Sequence, residues 1–165
     1  MAILEKIDFI RLPNVRIIGC EVGHTLRPGA DNPVPSLWKR ILENGTVSML
    51  KGLLLAVPNC TIGWIGDVSG QDFRYIAGVI AVKDTPVPQG MQHRDIPACR
   101  IANGYVYGNL QNGDVYSSAY ELTVTGIREH DFMPDDSFGW SAEIYLDNVD
   151  FSKENGVLCY YQPYK

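Results

Sequence analysis

The chain has 165 residues, of which 45% are hydrophobic and 20% charged, and its formal net charge is −5. This length and composition suit one compact domain with one hydrophobic core. The charge balance, 14 basic against 19 acidic residues, disfavours a protein that binds through phosphate contacts, so we expect no direct nucleic-acid partner.

The chain lacks the signals of a membrane or secreted protein. Its longest apolar run, at residues 53–57, has the length of a strand, and the N-terminal residues do not resemble a signal peptide. We therefore expect a cytoplasmic protein with no membrane partner. Cysteines and histidines are widely spaced, which predicts buried thiols, no metal and no cofactor.

The first half of the chain opens with a predicted strand and a predicted helix. Residues 8–23 are expected to form a strand, since residues 15–22 are rich in β-branched side chains. A helix is expected to begin at Val34, with Pro35 in its first turn and Asn44-Gly45 at its end. One apolar stripe runs along it, formed by Val34, Leu37, Trp38, Ile41 and Leu42.

Two strands and a turn-rich segment follow. Residues 60–68 and 73–82 have strand character, and residues 69–72 between them are typical of a hairpin turn. Residues 83–90 hold two prolines and a glycine, which makes them the best internal boundary in the chain.

The second half repeats this order of elements. Strands are expected at residues 96–107, 140–147 and 157–164, with a loop at 108–113. A second helix lies between the first two strands, with one face formed by Tyr116, Ala119, Tyr120, Thr123, Val124 and Ile127.

Each half thus has the order strand, helix, strand, strand. We predict a single domain over residues 1–165, with pseudo-repeats at about 1–84 and 91–165. The expected fold is α+β: duplicated β-α-β-β units form one antiparallel sheet with two helices on one face. A cleft where the helices diverge would be a natural ligand site.

The segment around Glu143 carries the best chemical signal. Alternate residues of a strand share a face, so Ser141, Glu143 and Tyr145 point to one side and Trp140 to the other. A carboxylate near aromatic rings attracts organic cations through Coulomb and cation–π interactions. The chain also has 9 Tyr and 3 Trp, many on predicted strands, and such rings can line a pocket. No nucleophile elbow, phosphate loop or dinucleotide fingerprint is present, so no other catalytic residues are predicted.

Several short stretches, in order, resemble the GyrI-like effector-binding domain, which also forms the ligand half of AraC-type and MerR-type multidrug regulators. These stretches are residues 17–19 with Thr25, 34–40, 73–78, 87–91, 96–98, 143–145 and 161–165. Residues 34–40 resemble the helix entry of stand-alone members, which include integron-cassette-type proteins, and the resemblance spans nearly the whole chain. It departs at Ser141-Ala142, where many relatives have Asp-Phe, and in the loop at 108–113.

The resemblance implies the duplicated fold and a central pocket whose glutamate faces cationic aromatic compounds. By position that glutamate is Glu143, with Tyr145 beside it. Trp38 and Tyr75 match aromatic positions that line the pocket. Three further ligand-binding residues are expected from their placement alone: Tyr107, Trp140 and Tyr161.

Three functions follow as hypotheses. The leading one is a binding domain whose partner is a small organic cation. The second is a hydrolase of reactive electrophiles that uses Glu143 as general acid or base, with Tyr145 positioning water or the leaving oxygen. The third is a protein-interaction module such as a gyrase inhibitor. A homodimer through an exposed sheet face and a regulatory protein partner both stay open.

Overall fold

The computed structural model describes residues 1–165. In chain order its elements are β1 (Ile3–Leu12), β2 (Val15–Thr25), α1 (Val34–Glu43), α2 (Thr46–Lys51), β3 (Cys60–Ser69), β4 (Asp72–Val82), β5 (Gln92–Ile96), β6 (Cys99–Asn109), α3 (Asp114–Glu129), β7 (Trp140–Leu146) and β8 (Asn155–Pro163), with a 3₁₀ turn at Asp136–Phe138. These elements form two compact units. The central unit comprises residues 13–97, and the terminal unit comprises residues 1–12 and 98–165.

In the central unit, four strands pair in the order β3-β4-β2-β5, and each pairing is antiparallel. Helices α1 and α2 cover one face of this sheet. Leu37 and Ile41 of α1 pack with Tyr75 and Ala77 of β4, and Leu50 of α2 packs further along the same strand. The short α2 exists because Gly45, at φ 82°, lets the chain turn in the left-handed region and begin a second helix.

In the terminal unit, the antiparallel strands follow the order β1-β6-β8-β7. The single helix α3 covers one face of this sheet. Val115 and Ala119 of α3 are fully buried against Val106 of β6 and Leu158 of β8. Burying an aliphatic side chain of this size contributes about 1.5–3 kcal/mol, so this contact fixes α3 over the centre of the sheet.

The α+β class with antiparallel strands is confirmed, and so is the repeated order of elements. The series β2-α1-β3-β4 matches β6-α3-β7-β8, apart from the added α2. The predicted helix at Val34 begins at that residue, and the hairpin at residues 69–72 joins β3 to β4. None of the three helices has the length and apolar character needed to span a membrane.

Two predicted strands are each split by a proline. The strand expected at residues 8–23 is in fact β1 and β2, separated at Pro13, and the strand expected at residues 96–107 begins only at Cys99, after Pro97. Proline has no N–H to donate to a neighbouring strand, so it separates two strands more readily than it continues one.

Three other details differ from expectation. Helix α2 was not predicted, and Leu42, placed in the apolar stripe of α1, is exposed. The compact units also differ in their bounds from the predicted repeats at about 1–84 and 91–165. Strand β1 pairs with β6, so residues 1–12 belong with the second half of the chain, and β5 pairs with β2.

Candidate functional site

Strand β7 presents one apolar face and one polar face, as the alternation predicts. Trp140, Ala142 and Ile144 are buried, whereas Ser141, Glu143 and Tyr145 are half-buried. The polar face therefore places a hydroxyl, a carboxylate and a phenol in a row at a spacing of about 7 Å, which is two residues of strand.

The carboxylate of Glu143 is held by its neighbour on the same face. The Tyr145 hydroxyl donates a hydrogen bond of 2.9 Å to Oε1 of Glu143. A hydroxyl that donates to a carboxylate stabilises its ionised form. This contact therefore fixes the position of a negative charge on the polar face of β7.

Aromatic rings surround this carboxylate within the terminal unit. Tyr160 of β8 lies directly opposite Glu143 in the sheet, and its hydroxyl is 2.7 Å from Ser141 Oγ. Two tyrosines of α3 approach the same face: Tyr116 lies 6.5 Å from the Tyr145 ring and Tyr120 lies 6.1 Å from the Tyr160 ring, measured between centroids. Phe151 packs edge-on against Tyr145 at 5.1 Å.

The sequence did not single out Tyr160, Tyr116 or Tyr120 as site residues. Tyr160 and Tyr161 are adjacent, so a shift of one residue in the register of β8 decides which ring faces Glu143. The apolar stripe of α3 did contain Tyr116 and Tyr120, and only the packing of α3 on the sheet turns these residues into site candidates.

The surroundings of two of these tyrosines raise the pKa values of their phenols. Burial raises the pKa of the Tyr160 phenol, the hydrogen bond with Ser141 acts against this, and the negative charge of Glu143 adds to the rise. Burial, followed by the charge of Glu143, likewise raises the pKa of Tyr116. Both phenols therefore stay neutral at physiological pH and keep their hydroxyl hydrogens.

These pKa shifts predict how the stability of the protein and the ionisation of its tyrosines change at alkaline pH. A phenol whose pKa is raised by folding contributes stability that is complete below the unfolded value, about 10, and lost as the pH rises above it. We expect fewer than all 9 tyrosines to ionise near pH 10 while the protein is folded. Phenolate absorbance followed together with circular dichroism measures this, and Tyr160→Phe should reduce the alkaline loss of stability. Ionisation of all tyrosines near pH 10 in a folded protein would contradict the shifts.

Three predicted site residues lie on the opposite face of the terminal sheet from Glu143. Tyr161 is paired with Ala142, and Tyr107 is paired with Val157, which places both on the face that also carries Trp140. Tyr161 and Trp140 are buried, and Tyr107 is exposed. The terminal unit thus brings Tyr145 to Glu143 but not Tyr107, Trp140 or Tyr161.

The remaining two predicted residues meet each other in the central unit. The indole Nε1 of Trp38, on α1, donates a hydrogen bond of 2.9 Å to the hydroxyl of Tyr75, on β4. Tyr75 is buried in the core cluster beneath α1, and Trp38 is half-buried at its margin. This bond holds the Trp38 ring against the core of the central unit.

A separate open cavity of about 640 Å³ lies in the central unit and contains none of the predicted site residues. It is lined by Gly23, His24, Thr25, Asp31, Pro33, Asp67, Ser69, Asp72, Phe73 and Arg74. Two of its carboxylates are already engaged, because Asp67 pairs with Arg94 at 2.7 Å and Asp72 pairs with Arg27 at 3.5 Å. The charge of these two carboxylates is therefore compensated by arginines.

Comparison with known proteins agrees with this fold. Residues 5–165 match the GyrI-like small molecule binding domain. The chain belongs to this family. No curated protein matches the sequence of this GyrI-like domain.

Three solved structures resemble this GyrI-like domain at low sequence identity. SAV2435 bound to tetraphenylphosphonium is 12% identical, with a TM-score of 0.72 over 97% of this chain and 94% of that one. An integron cassette protein from the mobile metagenome of Vibrio cholerae is 11% identical, with a TM-score of 0.61 and 99% coverage of both chains. The EcmrR C-terminal domain is 15% identical, with a TM-score of 0.59 and 97% coverage of both. These likenesses establish the shared fold.

Proposed function

We propose that this GyrI-like domain binds a small hydrophobic organic cation on the polar face of β7, with Glu143 as the counter-charge. The single observation that carries the proposal is the half-buried carboxylate of Glu143, held at 2.9 Å by Tyr145 and surrounded by aromatic rings. Tyr116, Tyr145 and Tyr160 form the walls that would contact the apolar part of the ligand.

The energetics favour a cation over a neutral ligand. Two unit charges 4 Å apart attract by about 4 kcal/mol at the effective dielectric constant of a protein surface, and desolvation of both charges offsets part of this. Each contact of the cation with an aromatic face adds about 0.5–2 kcal/mol. A neutral ligand of the same shape gains neither contribution, so charge decides the preference.

Two further observations support the proposal. The solved structure of SAV2435, which shares this fold, holds tetraphenylphosphonium, a large aromatic cation. Within this chain, the Tyr145 hydroxyl donates to Oε1 of Glu143 and holds the carboxylate in place beside the aromatic rings, as a fixed counter-charge requires.

The roles of the other predicted ligand-binding residues stay predictions. Trp38 is half-buried and held by its hydrogen bond to the buried Tyr75, so a ligand would contact Trp38 directly and Tyr75 only through it. Tyr107, Trp140 and Tyr161 lie on the face of the terminal sheet away from Glu143, so their substitution is expected to affect ligand affinity less than substitution of Tyr145.

A matched pair of ligands tests the proposal directly. Methyltriphenylphosphonium and triphenylphosphine oxide have similar shapes, and only the former is a cation. We expect the cation to bind at least tenfold more tightly in calorimetric titration and to raise the unfolding temperature, because a ligand stabilises the state it binds. Equal affinities for the two compounds, or no binding of either, would refute the proposal.

A further inference from the structure

The hydroxyls of Ser141 and Tyr160 form a second polar group on the site face, next to Glu143. Their oxygens are 2.7 Å apart, and either hydroxyl can be the donor. Ser141 precedes Glu143 by two residues on the same face of β7, and Tyr160 is the direct cross-strand partner of Glu143. A ligand cation that approaches the carboxylate therefore also approaches this pair.

The Ser141–Tyr160 hydroxyl pair can accept more hydrogen bonds from a ligand than it can donate. Two hydroxyls carry two hydrogens and four lone pairs, and the bond between them uses one of each. One hydrogen and three lone pairs remain. The ionised carboxylate beside them can only accept, and Tyr160, 5% exposed, keeps its neutral hydroxyl. The polar row is thus dominated by acceptors that are partly shielded from water.

Shielded acceptors favour a ligand that brings hydrogen-bond donors. A cation with an N–H group can donate to these oxygens, whereas a fully substituted ammonium or phosphonium cannot and would cover them without replacing their water. A site built for a hydrogen bond discriminates against an analogue that lacks it, because the buried polar groups are then left unpaired.

We infer that the site selects protonated amines bearing N–H over quaternary cations of the same size, and that the Ser141–Tyr160 hydroxyl pair determines this selectivity. This inference rests on the proposed function, since it assumes that the cation lies against Glu143. Ser141 is a specificity-determining residue in this scheme, and Glu143 supplies the attraction common to both classes of cation.

The probes are three naphthylmethyl compounds measured at pH 7 by calorimetric titration of the whole chain. The first is methyl(naphthylmethyl)amine in its protonated form, whose two N–H groups can donate to the carboxylate and to the hydroxyl pair. The second is trimethyl(naphthylmethyl)ammonium, and the third is neutral ethylnaphthalene. We expect the protonated amine to bind about tenfold more tightly than the quaternary cation, as one charge-assisted hydrogen bond predicts.

Two variants test whether Ser141 and Tyr160 cause the preference for the protonated amine. Ser141→Ala should reduce the tenfold preference to about twofold, because the protonated amine loses an acceptor and the quaternary cation no longer covers an unpaired hydroxyl. Tyr160→Phe, which keeps the Ser141 hydroxyl, should reduce the preference as well, and circular dichroism checks that each variant is folded. Equal binding of both cations by the wild type, or an unchanged preference in both variants, would overturn the inference and leave the proposed function standing. Binding of neither cation above the neutral compound would overturn both.

Discussion

Replacing Glu143 with glutamine should lower the affinity for methyltriphenylphosphonium by about tenfold to a hundredfold, or about 1.4–2.8 kcal/mol. The substitution removes the negative charge but keeps the shape of the side chain and an oxygen that can accept the 2.9 Å hydrogen bond from Tyr145. The expected loss is smaller than the full Coulomb energy because removing the charge also removes the cost of desolvating it. Calorimetric titration measures the effect.

Two controls make this result specific. The affinity for neutral triphenylphosphine oxide should change by less than about twofold in the Glu143→Gln variant, since no charge interaction is lost. Glu121→Gln removes a carboxylate from the exposed side of α3 in the same unit, so it changes the net charge equally at a solvated position. Its effect should be small because exposed charges are screened by salt. A loss shared by both ligands would argue that Glu143 shapes the site instead of supplying its charge.

A general base at this position makes a different prediction for the same variant. If Glu143 activated water, the Glu143→Gln protein would still bind the substrate and lose turnover. Selective loss of affinity for the cation, without turnover of any electrophile by the wild type, separates a counter-charge from a catalyst.

Much of this site could be predicted from local sequence, because the features that form β7 and α1 are local. Alternation of Trp140, Ala142 and Ile144 with polar residues determines which side of β7 carries Glu143. Pro35 and the buried Leu37 and Ile41 likewise determine where α1 begins and which side it buries. A pattern that depends only on neighbours two to four residues away can be recognised without knowing which strand or helix the segment packs against.

The parts that could not be predicted depend on pairing between distant residues. Strand β8 is buried on both faces from Leu158 to Pro163, so it shows no alternation and its register cannot be inferred from its own sequence. The choice of Tyr160 over Tyr161 opposite Glu143 follows from that register alone. Strand β1 was not predicted as a separate strand: its pairing partner β6 begins almost 90 residues further along the chain, and a register shift at Leu4/Lys6 disturbs its alternation.

Two glycines inside strands of the central unit carry information that strand propensity alone misses. Glycine weakens a strand, so Gly19 and Gly78 count against β2 and β4 when propensities are summed. The structure pairs these two residues directly across the sheet. A Cβ on Gly78 would lie 1.9 Å from the carbonyl oxygen of Ile18, and a Cβ on Gly19 would lie 2.1 Å from that of Ala77. The two backbones therefore approach so closely that each position requires glycine.

Gly78→Ala should accordingly destabilise the fold by about 3 kcal/mol or more, at the upper end of overpacking effects. The obstructing atoms belong to the backbone of β2 and cannot rotate away, so relief requires separating two hydrogen-bonded strands at the centre of the sheet. For a chain of this size the melting temperature should fall by roughly 6–12 °C, measured by thermal or urea unfolding. Gly23→Ala is the matched control on the same pair of strands, since its Cβ would meet only the Nη1 end of Arg74, at 2.6 Å. That flexible side chain can move, so the control should cost less than about 1 kcal/mol, and equal losses in the two variants would show that backbone proximity is not what requires Gly78.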